Sequence, residues 1–228
     1  MGHASYKHLS IVSKHELVLG IPKLSRMSNV VCEPCQLGKQ TKVKHLSTQT
    51  STTSRPLELL HLDVMGPTRT ESLGGKRYIM VVVDDFTRYT WIILLRSKSD
   101  TPEHIEALCT RLQNEKGLKI DRIQSDHGKE FENSYMESFC IRSGISQEFS
   151  SPITPQHNGV VERKNRVIQE MAKAMLHNKD VARNLWGEAI NTACHMVNRV
   201  YFRFGTKKTP YELWKGRKPN VKYTTKEL

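Results

Sequence analysis

Three carboxylates occupy positions that packing alone does not explain. Asp63 sits inside an apolar run, Leu60-His61-Leu62-Asp63-Val64. A charge in a strand interior is costly unless something binds it. Asp126 closes the segment Gln124-Ser125-Asp126, just after the apolar stretch Ile120 to Ile123. Glu162 falls early in a long helical pattern, with 35 residues between it and Asp126. It lies beside that helix's apolar stripe, on the flank it shares with Arg166, Gln169 and Lys173. Such a set suits phosphodiester chemistry. Two divalent cations roughly 3.5–4 Å apart can activate an attacking oxygen and stabilise a leaving one. Mg2+ prefers hard oxygen ligands and keeps part of its water shell. An unpaired trio of acids also repels itself, which favours metal uptake. Taken singly, each acid reads equally well as solvated or salt-bridged. Asp84 and Asp85 follow a strand too, and they read as turn-formers between neighbouring strands.

The elements that must carry these acids are legible from periodicity. Leu57 to Met65 is apolar and stops at Gly66-Pro67, which predicts a strand. The β-branched runs Arg77 to Val83 and Tyr89 to Leu95 complete a three-strand meander. Thr101-Pro102-Glu103 opens a helix, with Thr as cap and Pro in the first turn. Its apolar residues Ile105, Leu108, Cys109 and Leu112 recur at helical spacing up to Gly117. Ile120 to Ile123 is a short strand. Tyr135, Met136, Phe139 and Cys140 mark a second helix, ended by Gly144. Ser150 to Gly159, with two prolines, is a loop. A long helix follows over about 160–177, with Val161, Ile168, Met171, Ala172 and Met175 inward. A last one runs over about 181–201, burying Leu185, Trp186, Ala189, Ala193, Val197 and Val200. The order of strands and helices predicts an α/β chain, a mixed sheet with helices on its faces.

Composition narrows the partner. Lys and Arg number 35 against 23 Asp and Glu, a formal net charge of +12, which favours a polyanion. No membrane is expected: the longest apolar stretches, Tyr78 to Val83 and Trp91 to Leu95, are far short of the roughly 20 residues a spanning helix needs. No secretory signal is visible after Met1. The five cysteines are an odd set, three of them in apolar helical patterns, and point to a reducing compartment rather than a disulfide framework.

Longer motifs carry a resemblance. His61-Leu62-Asp63-Val64-Met65-Gly66-Pro67 and Val83-Asp84-Asp85-Phe86-Thr87-Arg88-Tyr89 resemble the first strands of copia-type LTR retrotransposon integrases. Ser125-Asp126-His127-Gly128-Lys129-Glu130-Phe131 is similar to the second-aspartate motif of that family. The stretch from Ser151 to Arg166, which holds His157-Asn158-Gly159 and Glu162-Arg163-Lys164-Asn165-Arg166, is similar to its glutamate motif. The resemblance covers nearly the whole chain. It implies a ribonuclease-H-like fold, a mixed five-stranded sheet flanked by helices. It implies Asp63, Asp126 and Glu162 as ligands of two Mg2+ or Mn2+ ions. The implied chemistry is 3′-end processing of element DNA and strand transfer into target DNA, by self-associated protein in the nucleus. His157, Asn158, Arg163, Lys164 and Arg166 are the expected DNA contacts, the cations through phosphates. Arg166 reads alternatively as an i+4 partner of Glu162.

Residues 1–46 differ in character. Cys32-Glu33-Pro34-Cys35 has zinc-knuckle spacing, with a pair of free thiols as the alternative. The segment resembles the pre-integrase region of the same elements, a small, partly helical His–His–Cys–Cys zinc module. His3, Cys32 and Cys35 match three of its Zn2+ ligands, and the first histidine has no counterpart here. His8 and His45 are the remaining candidates for the fourth place that structural zinc requires. The polar run 47–55 reads as a linker, 56–204 as the catalytic core and 205–228 as a tail. Within that tail Thr209 to Glu212 has a capping-box pattern. The missing histidine and the unfamiliar last residues suggest a fragment or decayed copy, so binding of nucleic acid without catalysis is the rival reading. A resolvase-like or ribonuclease-like phosphodiesterase is a third.

Overall fold

The computed structural model describes residues 5–22, 24, 53–150, 159–178 and 181–222. The chain divides into two compact units, 50–165 and, from two stretches, 1–49 with 166–228.

Unit 50–165 is built on one mixed sheet in the order β3-β2-β1-β4-β5. β1 (Leu59–Met65), β2 (Tyr78–Asp84) and β3 (Thr90–Leu95) form the expected antiparallel meander. The run Ile79 to Val83 is buried throughout, which is why it reads as continuously apolar rather than alternating. β4 (Arg122–Ser125) and β5 (Ser146–Phe149) add on the other side of β1 in parallel. α1 (Tyr6–Lys14) precedes the sheet in sequence and belongs to the other unit. α2 (Thr101–Lys116) connects β3 to β4, and α3 (Ser134–Ser143) connects β4 to β5. Both bury the apolar positions that the periodicity picked out, apart from Tyr135. That ring is exposed, and its hydroxyl donates to Glu106 on α2 at 2.6 Å.

Two local readings are corrected. Thr101 does not cap α2. A short 3-10 turn, Lys98–Asp100, precedes the helix, and the capping box lies there, between Ser97 and Asp100. Thr101 is instead fully buried as the first helical residue. The polar stretch that reads as a linker also ends inside the core: Thr53 is buried, and its hydroxyl donates to Asp85 at 2.7 Å.

α4 (Gly159–Asn178) belongs to unit 50–165 through Asn165 and to the other unit from Arg166. Of its expected stripe, Val161, Ile168, Met171 and Ala172 are buried and Met175 is half-buried. The second unit further contains α1, α5 (Trp186–Val200) and α6 (Pro210–Lys215). Leu19 bridges to Asn220, and Trp214 and Val221 are buried. Thr209 accepts from the Glu212 amide at 3.1 Å, the N-cap half of the expected capping box, while Glu212 Oε2 has no hydrogen-bond partner among the described residues. The ring of His8 is engaged here. Its Nε2 lies 2.6 Å from the Val200 carbonyl, and its ring stacks on Tyr201 at 4.8 Å.

Cys109, Cys140 and Cys194 are buried thiols that form no disulfide. Burial pushes the Cys109 thiol up to about 12, so it behaves as a small apolar side chain. Among the described residues no helix is long and apolar enough to cross a membrane.

Candidate active site

The parallel pairing of β1 with β4 brings the first two acids together. Its register sets His61 against Gln124. Asp63 lies two residues further along β1, and Asp126 directly follows Ser125, the last residue of β4. The third acid comes from α4, whose first turn carries Glu162. Asp63 is half-buried, whereas Asp126 and Glu162 are exposed.

The charges of Asp126 and Glu162 both act on Asp63. Burial raises the Asp63 carboxyl to about 6, and the neighbouring charges of Asp126 and Glu162 push it the same way. An amide hydrogen bond from Val64 and the more distant charge of Lys98 oppose the shift without cancelling it. Asp63 is therefore a carboxylate held among like charges, short of cation.

Three further residues shape the site. Asn165 lies one turn beyond Glu162 and is buried. Its Nδ2 donates to Asp63 Oδ2, while its Oδ1 has no hydrogen-bond partner among the described residues. Gly128 donates its amide to Asp126 Oδ1 at 3.1 Å. A Cβ at Gly128 would lie 2.7 Å from the Glu130 carboxyl carbon and 3.0 Å from Asp126 Oδ1, so a larger residue there would displace these carboxylates. Lys98 pairs with Glu130 at 2.5 Å, and Asp126 and Glu130 together raise its ammonium above the ordinary range. Lys98 lies outside every motif quoted above, and Asn165, though inside the glutamate motif on the same helix as Glu162, carries no acid to draw attention to it.

Asp84 and Asp85 form the β2–β3 turn as their sequence suggests, but both are buried. Asp84 accepts from the Thr87 amide and hydroxyl and from the Leu57 amide. Asp85 lies 3.0 Å from His61 Nε2 and 2.8 Å from the Arg88 guanidinium. Arg88 itself adopts a left-handed φ of 61°.

The expected DNA contacts are partly placed. Arg163 and Arg166 are exposed and Lys164 is half-buried on α4. His157 and Asn158 lie outside the described residues, as do the zinc candidates His3, Cys32, Cys35 and His45.

Among the described residues no three His, Cys, Asp or Glu side chains gather closely enough to hold a metal ion unaided. Mg2+ does not need such a cage. It commonly binds through one or two carboxylates and fills the rest of its shell with water and substrate phosphate oxygens. The all-carboxylate donor set and the cation-deficient state of Asp63 fit it on those terms.

The sequence profile of the integrase core domain matches residues 53–155, which include Asp63 and Asp126 and stop before Glu162. That of the GAG-pre-integrase domain matches residues 1–40. The chain is 37% identical over 202 residues to the retrovirus-related Pol polyprotein from transposon TNT 1-94 of Nicotiana tabacum, covering 87% of this chain and 15% of that protein. It is 33% identical to the corresponding polyprotein from transposon RE2 of Arabidopsis thaliana, covering 96% of this chain and 15% of that one. The chain thus spans only about 15% of the length of these curated relatives. Among solved structures, the HTLV-2 integrase catalytic core domain in complex with magnesium superposes with a TM-score of 0.53 at 21% identity, covering 70% of this chain and 97% of that one. The chain in the simian T-cell lymphotropic virus intasome gives 0.59 at 15% identity, covering 78% and 62%. At these identities the likeness establishes the ribonuclease-H-like fold. With the motifs, the two domain matches and the polyprotein relatives, it follows that this chain belongs with the Pol polyproteins of copia-type retrotransposons, as a stretch that carries a GAG-pre-integrase segment ahead of an integrase core domain.

Proposed function

We propose that this chain is a metal-dependent polynucleotidyl transferase that trims the 3′ ends of element DNA and joins them to target DNA. The observation that carries the proposal is the convergence of Asp63, Asp126 and Glu162 from β1, the end of β4 and α4, with the Asp63 carboxyl raised to about 6. The relatives being Pol polyproteins supports it, as does the magnesium bound by the HTLV-2 core domain of the same fold.

In this reading the three carboxylates would hold two divalent cations, Mg2+ or Mn2+, which when bound would supply an activated oxygen nucleophile and charge neutralisation at the scissile phosphate. The chain's own residues position and screen. Asn165 fixes one oxygen of Asp63, leaving the other to turn toward a cation. The Gly128 amide fixes one oxygen of Asp126. Arg163, Lys164 and Arg166, with His157 and Asn158 ahead of them, contact DNA next to Glu162, the cations as phosphate anchors without sequence reading. No side chain acts as a covalent nucleophile, because the attacking group is water or a DNA 3′-hydroxyl. Self-association to bridge two DNA ends and action in the nucleus belong to the same proposal.

Strand transfer tests it. Purified chain is mixed with a short duplex bearing an element end, target DNA and Mn2+ or Mg2+, beside the Asp126→Asn variant. Metal-dependent joining that disappears in the variant is the expected result. DNA binding without joining in the wild type would leave a nucleic-acid-binding protein and overturn the transferase reading.

A further inference from the structure

The stretch from Arg199 to Lys222 holds eight Lys or Arg and a single acid, Glu212. None of this charge is used by the acid site. Within it, Arg203 to Lys208 folds into a tight turn. The Arg203 amide donates to the Lys208 carbonyl at 3.0 Å, and the Thr206 amide to the Arg203 carbonyl at 3.0 Å. The Thr206 hydroxyl donates to the Arg203 carbonyl at 2.9 Å and accepts from the Lys208 amide at 3.2 Å. Gly205, at φ 77°, supplies the left-handed residue that lets the chain reverse. Phe204 stands at the tip, 92% exposed, the most exposed large apolar side chain described.

A loose loop can leave an aromatic in water by default. This turn is held by four hydrogen bonds, so the exposure of Phe204 is imposed. The ring has cations on both sides, Arg203 before it and the exposed Lys207 and Lys208 after it. An aromatic face flanked by cations is the pairing that binds unpaired nucleotides, because every base has a π-face and every linkage a phosphate. A duplex offers no free base face to such a ring. The local positive charge also opposes seating a second copy of the same turn there.

We propose that the Arg203–Lys208 turn is a stacking site for an unpaired base of a nucleic-acid strand, with Phe204 under the base and Lys207 and Lys208 on the adjacent phosphates. The inference does not depend on the acid site, since it needs neither metal nor chemistry. Its role would be to hold single-stranded nucleic acid, DNA or RNA, apart from the DNA ends that react at the carboxylates.

The test is fluorescence anisotropy of the full chain in EDTA, which silences metal-dependent chemistry. The probes are oligo(dT), oligo(rU) and a duplex of equal length. Phe204→Ala should weaken binding to the single strands about tenfold, the effect of one lost stack, and change duplex binding less than about twofold. Phe204→Trp should restore strand affinity, and its added indole emission should be quenched by the strand. Lys207→Ala with Lys208→Ala should lower the slope of log affinity against log salt by about 1.4 for single strands, roughly 0.7 for each phosphate released. The relative affinities of oligo(dT) and oligo(rU) then identify which strand is the preferred source. Unchanged strand binding by Phe204→Ala, or equal losses on strand and duplex, would overturn the stacking site. So would a Phe204→Ala variant that changes only the oligomeric state, which would assign the ring to contact between copies. Because Phe204 is exposed, all these variants should melt with the wild type.

Discussion

Two carboxylates of the sheet unit meet burial with opposite results. Asp85, at the β2–β3 turn, is pushed up by burial. The hydrogen bond from His61, the Arg88 guanidinium and the Thr53 hydroxyl outweigh that and hold it well below the usual carboxylate range. Asp63, on β1 two residues beyond His61, is pushed up by burial and pushed further by Asp126 and Glu162, to about 6. Desolvation is common to both sites. The difference lies in what surrounds the charge: donors and a cation in one, like charges in the other. The first arrangement is complete and serves the fold. The second is incomplete, and what would complete it is a divalent cation.

The comparison can be broken most severely at the exposed acid. Asp126→Asn should reduce strand transfer to background while leaving the thermal melt near that of wild type, because Asp126 is exposed and carries no packing. A folded variant that still joins DNA would remove Asp126 from the chemistry. At the complete site the effect should fall on stability instead. Asp85→Ala removes the acceptor of the buried His61 imidazole and a partner of the half-buried Arg88 guanidinium, and should cost about 3–5 kcal/mol in urea unfolding. A cost below about 1 kcal/mol would show that the network contributes little to the fold.

Removing the frustrated charge should have the reverse sign. The folded pKa of Asp63 lies above the ordinary value of 3.8. The proton is therefore bound more tightly in the native state, and stability falls as pH rises from about 4 through 6. Without metal, Asp63→Asn should be more stable than wild type by about 3 kcal/mol at pH 8 and equal to it below pH 4. Added Mg2+ should stabilise the wild type and not the variant. Equal stabilities at pH 8 would contradict the crowding of the three acids. The smallest effect belongs to Asn165. Its amide favours the ionised form of Asp63, so Asn165→Ala should move the pH midpoint of Mg2+ binding upward by less than about one unit. Isothermal titration over pH 5–8 would register it, and a midpoint unmoved or lowered would remove Asn165 as a positioning residue.

The meander, α2 and α4 were legible because their apolar residues repeat at the period of the element that buries them. β5 was not visible in the residue pattern. Ser146–Phe149 is short and polar, and it is a strand because it lies in register beside β4. Asp84 and Asp85 read as surface turn residues because their local sequence is that of a turn. Their burial depends on Thr53 and Leu57 arriving from upstream.

By itself the sequence determined which acids were candidates, the order of strands and helices, and the excess of positive charge, since each is written in residue type and spacing. Only the tertiary structure decided which carboxylates were left without partners. A partner is a matter of distance in space: Asn165 is 102 positions from Asp63 in sequence, and Asp126, whose charge acts on Asp63, is 63 positions away. No local pattern carries that information, because folding alone sets the field at each charge.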